Sequence, residues 1–165
     1  MKIQNHGVNV NLFAKLALTS DGWAHNVRIS ISEDGKITHV ESRVMPDPND
    51  LQLRNRILLP AMPNLHSHSF QRAMAGMTEK RAKNPESFWS WPELMYCFLE
   101  KLNPEHIEAI AALVFMEMLE SGYASVGEFH YLHHQQGGQP YENIAETSSR
   151  IIAAAIQTGI GLTHL

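Results

Sequence analysis

The sequence predicts an α/β protein in two parts, an antiparallel β-region over residues 1–55 and a parallel βαβαβ array over 56–165. Three observations carry this. Val27, Ile29 and Ile31 alternate with Arg28, Ser30 and Ser32 just before an Asp34-Gly35 pair, the pattern of a half-buried strand entering a hairpin. Beyond residue 100, two long amphipathic stretches alternate with short apolar runs, which is the order of βαβ units. Between the two parts, the run LLPAMPNLHSHSFQ from Leu58 to Gln71 sets two histidines one residue apart at the end of an apolar segment.

In chain order, Leu12 to Leu18 reads as a strand, Ser20-Asp21-Gly22 as a turn, and Val27 to Ile31 with Ile37 and Val40 as the hairpin around Asp34-Gly35. Met45 to Asp50, MPDPND, is a loop by its prolines and aspartates. Ile57, Leu58 and Leu59 have the composition of a strand buried on both faces, broken by Pro60 and Pro63, that leads to the histidines. No long period follows Gln71 until a short helix over Glu93 to Leu102, and a connection of that length is more often functional than idle. Phe88, Trp89 and Trp91 within it either pack the loop or line a pocket.

The clearest helix begins at Asn103, a capping residue, with Pro104 and Glu105 in its first turn and Gly122 past its end. Ile107, Ile110, Ala111, Val114, Phe115, Met118 and Leu119 form its apolar stripe, and Glu108, Glu117 and Glu120 its solvated face. Ala124 to Tyr131 is a second strand. Tyr141 to Gln157 is a second long helix, with Ile144, Ser148, Ile151, Ile152 and Ala155 toward the core and Gly159 stopping it, and Ile160 to Leu165 opens a third strand.

Composition excludes several classes. The 165 residues are 44% hydrophobic and 18% charged, enough for one modest core and unlike a disordered tail. A formal net charge of −4 argues against nucleic-acid or anionic-membrane partners, and the basic group Lys80, Arg81 and Lys83 reads as a solvated loop. A single cysteine, Cys97, excludes an intrachain disulfide and reads as a small apolar helix residue. The N-terminus has no apolar core of a secretory signal, and no run of about 18 apolar residues occurs, so a cytoplasmic protein is expected.

His66 and His68, two apart on a strand, share one face and offer two imidazoles to a metal, zinc by preference. Against this stands ordinary polar use, because ten histidines in the chain make such a pair possible by chance. His130, His133 and His134 in HYLHH lie at or beyond the second strand tip, and His133 and His134 read as polar loop residues.

The run PAMPNLHSHSFQRAMAGM, then FWSW with ELMY, SVGEFHYLHH and TGIGLT, closely resembles the amidohydrolase superfamily, and within it the formimidoylglutamate deiminases. The resemblance implies an N-terminal β-sandwich portion followed by a (β/α)8 barrel. A barrel takes about 250 residues; 100 remain after Leu65, so this chain would hold an incomplete barrel cut in its third strand. It implies zinc-dependent deimination of N-formimidoyl-L-glutamate to N-formyl-L-glutamate and ammonia, in histidine degradation. His66 and His68 match the metal ligands of the first barrel strand, and Gln71 and Tyr131 match substrate-orienting positions. The remaining ligands and the proton-transfer residues belong to later strands, so no catalytic residue falls in this chain and the chain alone is expected to be inactive. The implied partners are a small-molecule substrate and, for the intact protein, a second copy. Pro92 stands where the family usually carries an arginine that binds a substrate carboxylate, and Ala61 and Ser69 replace a customary glycine and alanine. The alternatives are a guanine or triazine deaminase of the same superfamily, against which Gln71 and Tyr131 count, and a non-enzymatic αβ module.

Overall fold

The computed structural model describes residues 9–77 and 90–165, in two compact units that divide after Pro60. Lys80, Arg81, Lys83, Phe88 and Trp89 lie outside the described residues, as does the side chain of Trp91.

The first unit is one five-stranded sheet. Strands β1 (Val10–Thr19) and β2 (Gly22–Ile31) pair antiparallel, and β3 (Ile37–Glu41) pairs antiparallel with β2. The turns fall at Ser20-Asp21 and around Asp34-Gly35, as the alternation and the Asp-Gly signal require. Phe13, Ala14, Ala17 and Val27 form its buried side. The sheet is mixed rather than wholly antiparallel, because β4 (Leu51–Gln52) and β5 (Ile57–Leu58) both run parallel to β1. This corrects the reading of the apolar run at 57–59. It is an edge segment of the N-terminal sheet, with Ile57 and Leu59 more than half exposed, and not the approach to the histidines. Three apolar residues followed by proline suit a buried strand and a short edge strand equally, and pairing partners decide between them. The unit boundary accordingly falls at 60/61 rather than 55/56.

The second unit is a three-stranded parallel sheet in the order β6 (Met62–Ser67), β7 (Tyr123–Glu128), β8 (Gly161–His164). A 3-10 segment, Ser69–Met74, follows β6 directly. Helix α1 (Ser90–Leu99) sits three residues earlier than expected, with Pro92 in its first described turn, where a missing N–H costs nothing. Helix α2 (Pro104–Glu120) is capped by Asn103, whose Oδ1 accepts from the His106 N–H at 2.8 Å. Its buried residues, Ile107, Ala111, Val114 and Phe115, are those of the expected stripe.

Helix α3 (Glu146–Thr158) starts five residues later than the periodicity suggests, because Asn143 folds the preceding residues into a turn, its Oδ1 accepting from the Ala145 N–H and its carbonyl from the Glu146 N–H. Ile144 is therefore exposed and Thr147 takes the inward position; Ile152 is also largely exposed. Gly159 ends the helix at φ 80°, a left-handed cap. Two of the supposedly solvated glutamates are paired: Glu117 with Arg72 at 2.8 Å, and Glu108 with Arg150 at 3.1 Å. Cys97 faces solvent rather than the core. Phe70, Met74, Phe115, Val126 and Ile151 are central to the core of this unit, between the helices and the sheet. No described helix is long and apolar enough to cross a membrane.

Candidate metal centre at the strand tips

His66 lies within β6 and His68 just beyond its last residue, and the two rings meet edge to face with centroids 4.6 Å apart. Their Nε2 atoms are 3.0 Å apart. His68 Nδ1 stands 2.8 Å from the carbonyl of Phe129, one residue past the tip of β7. A carbonyl only accepts, so His68 Nδ1 carries the proton and its Nε2 presents a lone pair when the ring is neutral. Two nitrogens on one tetrahedral zinc at roughly 2.0–2.1 Å would stand about 3.3–3.4 Å apart. The pair as folded therefore fits a shared cation with a few tenths of an ångström of adjustment. Among the described residues no third His, Cys, Asp or Glu joins it to complete a cluster.

Gln71 and Tyr131 come to the same place. Gln71 lies in the 3-10 segment after His68, and its Nε2–H donates to the Tyr131 hydroxyl at 3.1 Å. The Tyr131 ring packs against His68 and Phe70 at centroid distances of 5.0 and 5.2 Å. All four residues singled out by sequence thus converge at the C-terminal ends of β6 and β7. They do so across some 60 residues of chain, because parallel pairing through α2 returns β7 beside β6 in matching direction.

Spacing gave no sign of the residues that brace this group. Glu128, fully buried, accepts from both the N–H and the hydroxyl of Ser69 at 2.7 Å each. Phe129 supplies the carbonyl to His68, and its ring lies 6.2 Å from that of His66. Gly127 is required by contact: a Cβ there would sit 2.9 Å from the Leu65 carbonyl oxygen, where β6 breaks register. One signal in the sequence was available, since Glu128 follows Val126 by two and so shares its inward face.

β7 stops at Glu128, three residues short of the expected end. His130 turns inward, its Nε2–H donating to the Leu132 carbonyl at 3.0 Å. Burial foremost, then His164 and His133 nearby, push its pKa down to about 4, so it is neutral at pH 7. His133 and His134 are exposed, as a polar loop would be. A groove of about 290 Å³ runs between α1 and the 131–141 loop, with Tyr96, Leu99, Tyr131 and Tyr141 among its walls.

A three-stranded parallel sheet with helices between its strands and histidines at its C-terminal tip has close structural counterparts. The crystal structure of an amidohydrolase from Brucella melitensis superposes with a TM-score of 0.87 at 46% identity, over 94% of this chain and 34% of that one. A zinc complex of atrazine chlorohydrolase from Arthrobacter aurescens superposes at 0.73 with 22% identity, over 94% of this chain and 35% of that one, which shows a common fold. The chain is therefore of amidohydrolase type. More narrowly, residues 10–52 match the family described as formimidoylglutamate deiminase HutF, N-terminal domain, and the chain is 49% identical over 156 residues to the formimidoylglutamate deiminase of Pseudomonas aeruginosa, the relative it resembles in particular. That match covers 93% of this chain and 34% of the relative, so the chain spans about a third of the relative's length.

Proposed function

We propose that this chain contributes two ligands and two substrate contacts to a zinc-dependent hydrolase that converts N-formimidoyl-L-glutamate and water to N-formyl-L-glutamate and ammonia. The observation that carries it is the convergence of His66 and His68 Nε2, with the far nitrogen of His68 tied to Phe129, in a chain 49% identical to a formimidoylglutamate deiminase. His66 and His68 would hold the metal through Nε2. When bound, zinc polarises a carbon–nitrogen double bond and makes water a nucleophile near neutral pH.

The chain's own groups then orient the substrate. Tyr131 accepts from Gln71 and so keeps its hydroxyl proton to give, while the Gln71 amide oxygen remains an acceptor for a formimino N–H. Pro92 has neither charge nor donor, so the carboxylate grip that an arginine would give is lost there, and in a full-length version Pro92→Arg should lower the Michaelis constant for this acidic substrate. On this reading the N-terminal sheet is part of a β-sandwich and β6 to β8 are the first three strands of a (β/α)8 barrel. Two ligands, and no further metal-ligand cluster among the described residues, leave the 165-residue chain by itself without turnover.

A chimera tests the reading. Replacing the matching 156 residues of the Pseudomonas aeruginosa enzyme with this chain should give a protein that releases ammonia from N-formimidoyl-L-glutamate, and His66→Ala in the chimera should abolish it. A folded, zinc-loaded chimera without activity would sink the assignment.

A further inference from the structure

We infer that Glu128 is a positioning residue that aims His68 Nε2, an inference resting on the metal-ligand reading above. The tip of β7 grips the residues around His68 at four points. The Phe129 N–H donates to the Ser67 carbonyl at 2.8 Å, and its carbonyl accepts from His68 Nδ1–H at 2.8 Å. On the other side of the same peptide, Glu128 Oε1 accepts from the Ser69 N–H and from its hydroxyl, both at 2.7 Å. Both partners are shut away from water, Glu128 fully and Ser69 at 2% exposure, so the clamp has little room to slide.

The arrangement spends more than folding requires. Among the described residues Glu128 Oε2 is buried with no hydrogen-bond partner, as is Nδ1 of His164, which occupies the paired position on β8. Burying a carboxyl group with half its capacity unused is costly, and an apolar side chain would pack here without that cost. What the carboxyl group adds is direction. Two strong bonds to one residue hold the chain immediately after His68 in place, while the Phe129 carbonyl fixes which ring nitrogen carries the proton. Glu128 therefore acts on the metal site through Ser69 and His68, without touching the metal.

The test uses the 165-residue chain, Glu128→Leu, Ser69→Ala, and His68→Ala as control. With ¹⁵N-labelled histidine, NMR should show His68 of the wild type in the Nδ1–H tautomer, and both clamp variants should shift it toward a mixture at unchanged melting temperature. Cobalt(II) titration, read by the visible d–d bands, should show affinity lost in His68→Ala and weakened about tenfold or more in Glu128→Leu, with a smaller loss in Ser69→Ala, which keeps the backbone bond. If both variants keep the wild-type tautomer and cobalt affinity, Glu128 is only a structural anchor and the inference falls. If the tautomer shifts but cobalt binds no better to wild type than to His68→Ala, the metal reading fails and the positioning of the ring stands. A variant that does not fold is replaced by the other, since Glu128→Leu removes both bonds of the clamp and Ser69→Ala only that of the hydroxyl.

Discussion

Asp50 in the first unit and Glu128 in the second are both buried carboxyl groups, and they are used in opposite ways. Asp50 takes a two-pronged grip from Arg28, with Nε and Nη2 at 3.0 Å, and accepts the Asp47 N–H at 2.7 Å; Arg28 Nη2 also donates to the Met45 carbonyl. Charge meets charge, and the result ties the 45–50 loop to β2. Among the described residues Glu128 pairs with no cation; it braces one residue beside a histidine and leaves an oxygen unpaired. A closed network of this kind holds a loop, whereas an open one at the C-terminal tips of parallel strands is where a ligand site is built.

The largest effect expected from testing this contrast comes from the histidines. His66→Ala or His68→Ala should each lower zinc affinity by about two orders of magnitude, measured by competition with a chelating dye, while Asp50→Asn leaves it unchanged. Equal loss from all three would erase the distinction. Next, Gly127→Ala puts a methyl group 2.9 Å from the Leu65 carbonyl oxygen, so β6 must shift. We expect the second unit to lose about 1–3 kcal/mol in urea unfolding and zinc binding to weaken with it.

Acid should separate the units. The folded second unit keeps His130 neutral down to about 4, while the unfolded chain protonates it below 6.5. The unfolded state thus binds more protons between those values, and stability falls with pH across that window by up to roughly 3 kcal/mol. The Arg28 bond instead holds Asp50 below the usual carboxylate range, so its contribution is present above the unfolded value and is lost only as pH falls below about 4. Hydrogen exchange from pH 7 to 3 should therefore show β7 and α3 amides opening before those of β1 and β2; simultaneous opening near pH 3 would contradict it. The smallest effect is that of Asp50→Asn, which should lower the melting temperature of the first unit by several degrees and leave the second untouched.

Much of this was legible in the residues themselves. Local signals that act over a few positions were reliable: the Asn103 cap, the stripe of α2, the Asp34-Gly35 turn and the Gly159 stop all depend on neighbours within one turn of chain. The His66 and His68 pair was visible because strand periodicity places residues two apart together. The run at 57–59 was misread for the converse reason, since its apolar side chains say that something covers them and not which strand does.

What the tertiary structure alone decided is the setting of the site. The sequence by itself singled out His66 and His68 through residue type and short spacing, and Gln71 and Tyr131 through resemblance to a family. It did not determine that Glu128 and Phe129 would hold Ser69 and His68, or that Gln71 would bond Tyr131 across 60 positions. Those contacts exist because α2 carries the chain back to lay β7 parallel to β6, with register shifts at Met62/Pro63 and Asn64/Ser67. A register is a property of two strands packed under a shared core, which neither strand contains by itself.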